Sequence, residues 1–131
     1  MTKPSIEVLS DYCSALTIQN IPSELVELAK LKILDSLACA YLGADSDASQ
    51  ICGRLAARMA EGSCTSMLHG RSVQAADAAY LNSAAIHAIL QDDVDLAIGH
   101  PACNVVPAAM AVGESYGATG ADVLAAIVSG Y

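Results

Sequence analysis

Gln74-Ala75-Ala76-Asp77-Ala78-Ala79-Tyr80-Leu81-Asn82-Ser83-Ala84-Ala85-Ile86-His87-Ala88-Ile89-Leu90 is the stretch whose reading decides the fold. Alanine recurs at 75, 76, 78, 79, 84, 85 and 88, so apolar residues run almost all the way round a helical period. A surface helix keeps a polar face; one without such a face is packed on several sides. Small side chains also let neighbouring helices come close. The spacing predicts a central helix over 74–90. Its polar exceptions are Asn82, Ser83 and His87, and the last two stand one turn apart on a shared face.

Downstream, the chain enters Asp92-Asp93-Val94-Asp95 and then His100-Pro101. Pro101 suits the opening of a helix, read as far as Tyr116 with a kink at Pro107. Gly117-Ala118-Thr119-Gly120 is a turn, and a last apolar helix spans Ala121 to Val128.

Upstream, Thr65-Ser66-Met67-Leu68-His69 with Gly70-Arg71 reads as one short extended segment and a turn, with His69 at the surface or half-buried. Before it comes a helix over Ala48 to Ala60, capped by Asp47 and closed by Gly62. Arg54 and Arg58 are solvated charges on its polar face. A longer helix opens near Pro22-Ser23-Glu24 and stops at Gly43, with Val26, Ala29, Ile33, Leu37 and Ala40 as its apolar stripe. Asp35 and Ser36 are read there as a surface pair. Ile6 to Leu16 forms a short first helix. The fold class is all-α, a helical domain with at most one short extended segment near residues 64–69.

With 131 residues there is room for one domain and a real core. Hydrophobic residues make up 54% and charged residues 15%, well under the roughly 25% charged in an average soluble domain. That surplus of apolar surface calls for cover, from a homo-oligomer interface or from a missing C-terminal half. Net charge is −8, and the six basic residues (Lys3, Lys30, Lys32, Arg54, Arg58, Arg71) all precede Ser72. Nucleic acid and anionic membrane, which need clustered Lys and Arg, are excluded as partners. The five cysteines are odd in number and lack a C-x-x-C pair, so they read as buried, reduced thiols. No apolar run reaches the roughly 18 residues of a membrane span, and no secretory leader is visible, so the expected address is cytoplasmic.

The acidic corner admits four readings from its residues. It can be a solvated loop with a capping histidine. It can hold Mg²⁺ on Asp92, Asp93 and Asp95, although D-D-V-D lacks a second acidic motif or a basic partner for diphosphate. Zinc is disfavoured because no paired His or Cys ligands accompany His100. In the fourth reading His100 carries protons, an aspartate orients it, and the helix start after Pro101 favours a bound carboxylate.

The run Leu81-Asn82-Ser83-Ala84-Ala85-Ile86-His87-Ala88, then Asp92-Asp93, His100-Pro101 and Val105-Val106-Pro107-Ala108-Ala109, resembles the MmgE/PrpD family. That family includes 2-methylcitrate dehydratase, cis-aconitate decarboxylase and an iminodisuccinate epimerase. Leu34-Asp35-Ser36-Leu37-Ala38-Cys39-Ala40, Gly117-Ala118-Thr119-Gly120 and Ala125 to Tyr131 extend the resemblance along nearly the whole chain. It covers only the N-terminal part of a longer family protein. Residues 1–131 would then be the first part of a helical domain, without the lid domain and the C-terminal helices.

The resemblance implies a homodimeric lyase that needs no cofactor or metal and performs acid–base chemistry on a small di- or tricarboxylate. It makes His100 the catalytic residue, with Asp92, Asp93 and His87 in the pocket wall or supporting it. Two departures weigh against activity in this chain alone. Leu90 stands where the family has an active-site aspartate, and Val94 where it has threonine. The family's other catalytic groups lie beyond Tyr131, and residues 72–131 supply no cation for a tricarboxylate. The alternative is a non-catalytic helical assembly module.

Overall fold

A computed structural model describes residues 3–131. Its elements run α1 (Ser5–Ala15), a 3₁₀ turn (Ile18–Asn20), α2 (Ser23–Leu42), α3 (Asp47–Ala56), β1 (Glu61–Ser66), β2 (Arg71–Val73), α4 (Ala75–His87), α5 (Ala102–Tyr116) and α6 (Gly120–Gly130). The fold is mostly helical, as the sequence implied. No described helix is long and apolar enough to cross a membrane.

Helix α4 is the axis. It packs against α2, α3, α5 and both strands, and Ala78, Leu81, Ala85 and Ile86 are sealed from solvent. The core lies in three patches, largely of small side chains, two of them built on α4. One joins Cys52, Ala56, Cys64, Val73, Ala78, Leu81 and Ala111. A second joins Cys39, Ala40, Ala85, Ile86 and Cys103, and a third joins Ala29, Val106 and Ile127 between α2, α5 and α6. All five cysteines are free thiols, and four of them are buried.

The extended segment is larger than the sequence suggested. β1 begins at Glu61 and pairs antiparallel with β2, and a bulge shifts the register so that both Glu61 and Cys64 face Val73. Helix α3 accordingly stops at Ala56, short of Ala60. Gly62 does not close that helix; it sits in the bulge, where an added Cβ would lie 2.3 Å from the Val73 carbonyl oxygen. Only glycine permits so close a backbone approach. Gly62→Ala is expected to destabilise the chain by about 2 kcal/mol, a typical overpacking cost, read from urea unfolding. An unchanged midpoint would show that the bulge can relax.

Other boundaries shifted for local reasons. Ser46, not Asp47, caps α3, its hydroxyl accepting from the Ser49 N–H at 3.2 Å. Pro101 precedes α5 as expected, and Pro107 lies buried inside that helix. Gly117, at φ 64°, ends α5 in the left-handed region. Thr119 and Asp122 then form a reciprocal capping box at the start of α6.

On α2 the buried set is Ala29, Ser36, Cys39 and Ala40, while Leu37 is exposed. Ser36 is therefore a core residue rather than half of a surface pair. Its hydroxyl finds no hydrogen-bond partner among the described residues; Asp35 is exposed. The outward face of α2 carries Leu25, Leu28, Leu31 and Leu34, all exposed, and α1 buries none of its residues.

Candidate functional site

The loop from Ala88 to Pro101 joins α4 to α5 and folds back on both. Its reversal turns on Leu90, whose φ of 54° puts a bulky residue in the left-handed region. Farther along, Asp95 and Gly99 exchange backbone hydrogen bonds at 2.7 and 2.8 Å. The Asp95 carboxylate accepts from the Ala97 and Ile98 N–H groups inside that tight turn. Leu90 is 63% exposed and packs little. A left-handed backbone costs a non-glycine residue about 1–2 kcal/mol, partly offset by the unfolded-state entropy of glycine. Leu90→Gly is expected to stabilise the chain by about 0.5 kcal/mol, visible as a higher urea midpoint. A loss of stability would mean that Leu90 packs more than its exposure implies.

The folded-back loop brings Asp92 between two histidines. His87 is the last residue of α4, and its Nδ1 lies 3.1 and 3.2 Å from the two Asp92 oxygens. His100, just before Pro101, has its Nδ1 3.4 Å from Asp92 Oδ1. The Asp92 side chain is completely buried, whereas those of His87 and His100 are 41% and 30% exposed. The two imidazoles meet edge to face, with centroids 4.7 Å apart. The His100 Nδ1 is itself buried and finds no hydrogen-bond partner among the described residues.

Both rings open onto a cavity of about 370 Å³ lined also by Tyr80, Ser83, Ala84, Cys103 and Asn104, a size suited to a small molecule. Asn104 donates to the His100 carbonyl at 2.9 Å and so fixes that residue's backbone. Cys103 donates to the same carbonyl. Burial first, then the neighbouring Asp92 carboxylate, pushes the Cys103 thiol up to about 11, so at neutral pH it is a proton-bearing wall group and not a nucleophile.

Asp93, adjacent in sequence, faces the other way. Its Oδ2 accepts from Lys32 Nζ at 2.5 Å and from the Tyr131 hydroxyl at 2.8 Å, and its Oδ1 accepts from the Ala102 N–H at 2.9 Å. Burial opposes its ionisation, but the Lys32, Ala102 and Tyr131 hydrogen bonds prevail and hold the carboxyl below the usual carboxylate range. The same environment raises the Tyr131 phenol, by burial first and then by its bond to Asp93. Asp93 thus supports the corner by tying α2, α5 and the end of α6 together, and it does not line the cavity.

The three acids of the corner do not converge. Asp92 serves the histidines, Asp93 serves Lys32 and the start of α5, and Asp95 serves its own turn. Sequence reading missed Tyr80, Cys103 and Asn104 as lining residues. Helical spacing carried a signal for two of them: Tyr80 lies two turns before His87, and Asn104 lies one turn after His100. Nothing local announced Lys32 or Tyr131 as partners of Asp93.

Known proteins resemble the chain along its whole length. Cis-aconitate decarboxylase from Aspergillus terreus is 36% identical over 149 aligned positions, covering 100% of this chain and 30% of that protein. The same enzyme from A. terreus strain NIH 2624 is 35% identical with the same coverage. The chain thus spans about a third of the length of these curated relatives. No solved structure matches it. The family model described as the MmgE/PrpD N-terminal domain matches residues 7–131, and the chain belongs to that family.

Proposed function

We propose that the chain is the N-terminal part of a larger helical domain in a cofactor-free, cytoplasmic, homodimeric lyase acting on small di- or tricarboxylates. The reaction is a dehydration, a decarboxylation or an epimerisation, and His100 is its acid–base residue. The observation that carries this reading is the buried Asp92 carboxylate between His87 and His100, the two histidines that line a small cavity. The Asp92 carboxylate, hydrogen-bonded to His87 and 3.4 Å from His100 Nδ1, stabilises the His100 ring electrostatically when it takes a proton. The start of α5 adds a positive helix end near a bound carboxylate.

The same cavity explains why the chain is proposed to be inactive alone. None of the six basic residues lines it, and Lys32 is already paired with Asp93. A tricarboxylate entering it meets two histidines and no permanent cation, which leaves its charge uncompensated.

The test is a titration of the ¹⁵N-labelled chain with cis-aconitate, alongside an assay for carbon dioxide release. Weak binding is expected, shifting the Ala102, Cys103 and Asn104 amides and lost in His100→Ala, with no turnover. Shifts confined to other surfaces would sink the site, and turnover by this chain would sink the claim of inactivity.

A second reading, the non-catalytic assembly module, is favoured by the uncovered leucines of α2 and by an α1 that buries nothing. Size-exclusion chromatography should then give a dimer or larger species, and a monomer counts against it.

A further inference from the structure

We infer that His87, Asp92 and His100 form a three-ligand site for a zinc-class divalent ion, with the fourth position open to the cavity. Two observations point there independently. The first is the spacing. Bonds of about 2.0–2.1 Å place neighbouring ligand atoms of a tetrahedral ion about 3.3 Å apart. Asp92 Oδ1 stands 3.1 Å from His87 Nδ1 and 3.4 Å from His100 Nδ1, and the three ligand atoms all lie within 4.8 Å of one another. Binding closes the widest of these separations, at most 4.8 Å, toward the tetrahedral value of about 3.3 Å.

The second observation is the orphaned His100 Nδ1. It is buried, close enough to Asp92 for an ionic contact, and yet without a hydrogen bond among the described residues. For His100 and Asp92, right distance and wrong direction is what two ligands of one ion show, whereas His87 is hydrogen-bonded to Asp92 and would exchange that bond for the metal. A buried nitrogen without a partner is otherwise costly.

The donor set selects the ion. Two imidazoles and one carboxylate suit zinc and its transition-metal neighbours, whereas magnesium and calcium take oxygen donors. Ligation uses the Nδ1 electron pair of each ring, so a neutral His87 must carry its one proton on Nε2 instead of sharing it with Asp92. If the acid–base reading of His100 holds, a metal on the Asp92-facing nitrogen removes the carboxylate that would stabilise the protonated ring, so the ion acts as an inhibitor of that chemistry.

The experiment is calorimetric titration of the full reduced chain with Zn²⁺ without substrate, so that it stands or falls apart from the carboxylate reading. One equivalent is expected to bind, and His87→Gln and His100→Gln should each weaken binding about 100-fold. In the wild-type chain the imidazole signals of His87 and His100 should move together while His69, held by Ser66 and Ser49, stays still. That spectrum decides the matter even if a variant fails to fold. No uptake at millimolar Zn²⁺, wild-type affinity in both variants, movement of His69 alone, or a thiolate charge-transfer band with Co²⁺ would each overturn the site.

Discussion

Asp93→Ala is expected to destabilise the chain by about 3 kcal/mol, the usual cost of leaving one member of a largely buried ion pair alone. The Asp93 and Lys32 side chains are 13% and 26% exposed, so solvent screens the pair only in part. The substitution strips an ammonium of its counter-ion, the first N–H of α5 of its acceptor and the Tyr131 hydroxyl of its partner. Asp93→Asn should cost less, because an amide oxygen can still cap α5 while the charge is lost. Urea unfolding at pH 7 is the measurement. A cost below about 1 kcal/mol would place the pair with surface salt bridges.

The same network sets an acid limit. The Asp93 carboxyl is held below its ordinary value in the fold, so the unfolded chain takes up the proton first. Its contribution is complete above about pH 5 and is lost as the pH falls through and below the ordinary aspartate value of about 3.9. The wild-type chain should lose stability over that range more steeply than Asp93→Asn. Parallel curves would mean that other carboxylates govern the acid transition.

Asn82→Ala should cost a comparable amount, about 3 kcal/mol, through hydrogen bonds rather than charge. Asn82 is nearly sealed in α4. Its side-chain oxygen accepts from the Met67 N–H at 2.8 Å, and its amide donates to the Thr65 carbonyl at 2.9 Å. Truncation leaves both hairpin groups to find water beneath the helix. Thr65 keeps its bonds to Glu114 at 2.7 and 2.5 Å, so the damage should centre on the turn. Faster amide exchange at Met67 than at Thr65 is the expected signature. Uniform exchange along the hairpin would show that the two move as one unit.

What the sequence made legible follows from how local each cause is. The alanine run of α4 announces a central helix because composition alone removes its polar face. The buried stripe of α2 is less legible because Leu25, Leu28, Leu31 and Leu34 give that helix further apolar surface, and periodicity cannot choose between two apolar sides. The strand pair stayed half-hidden because its start is fixed by Gly62 pressing on Val73 across the bulge, a contact absent from any window of sequence.

The site divides in the same way. His100 before Pro101 and His87 at a helix end can be picked out by residue type and position. Their meeting over Asp92 depends on the left-handed turn at Leu90, where leucine is the last residue one would place. The pairing of His87 with His100 is hidden for the same reason: the two imidazoles sit at opposite ends of a loop. Asp93 could be named but not explained, since its partners come from α2 and the end of α6.

His87, Asp92 and His100 all belong to one helix–loop–helix segment. Closing so short a loop carries a small entropic cost, and segments of low contact order form early and quickly. The His–Asp–His corner is therefore a local folding unit. It can assemble before sequence-distant elements such as α2 and α6 lock onto it, and the stretch from His87 to His100 carries the whole trio.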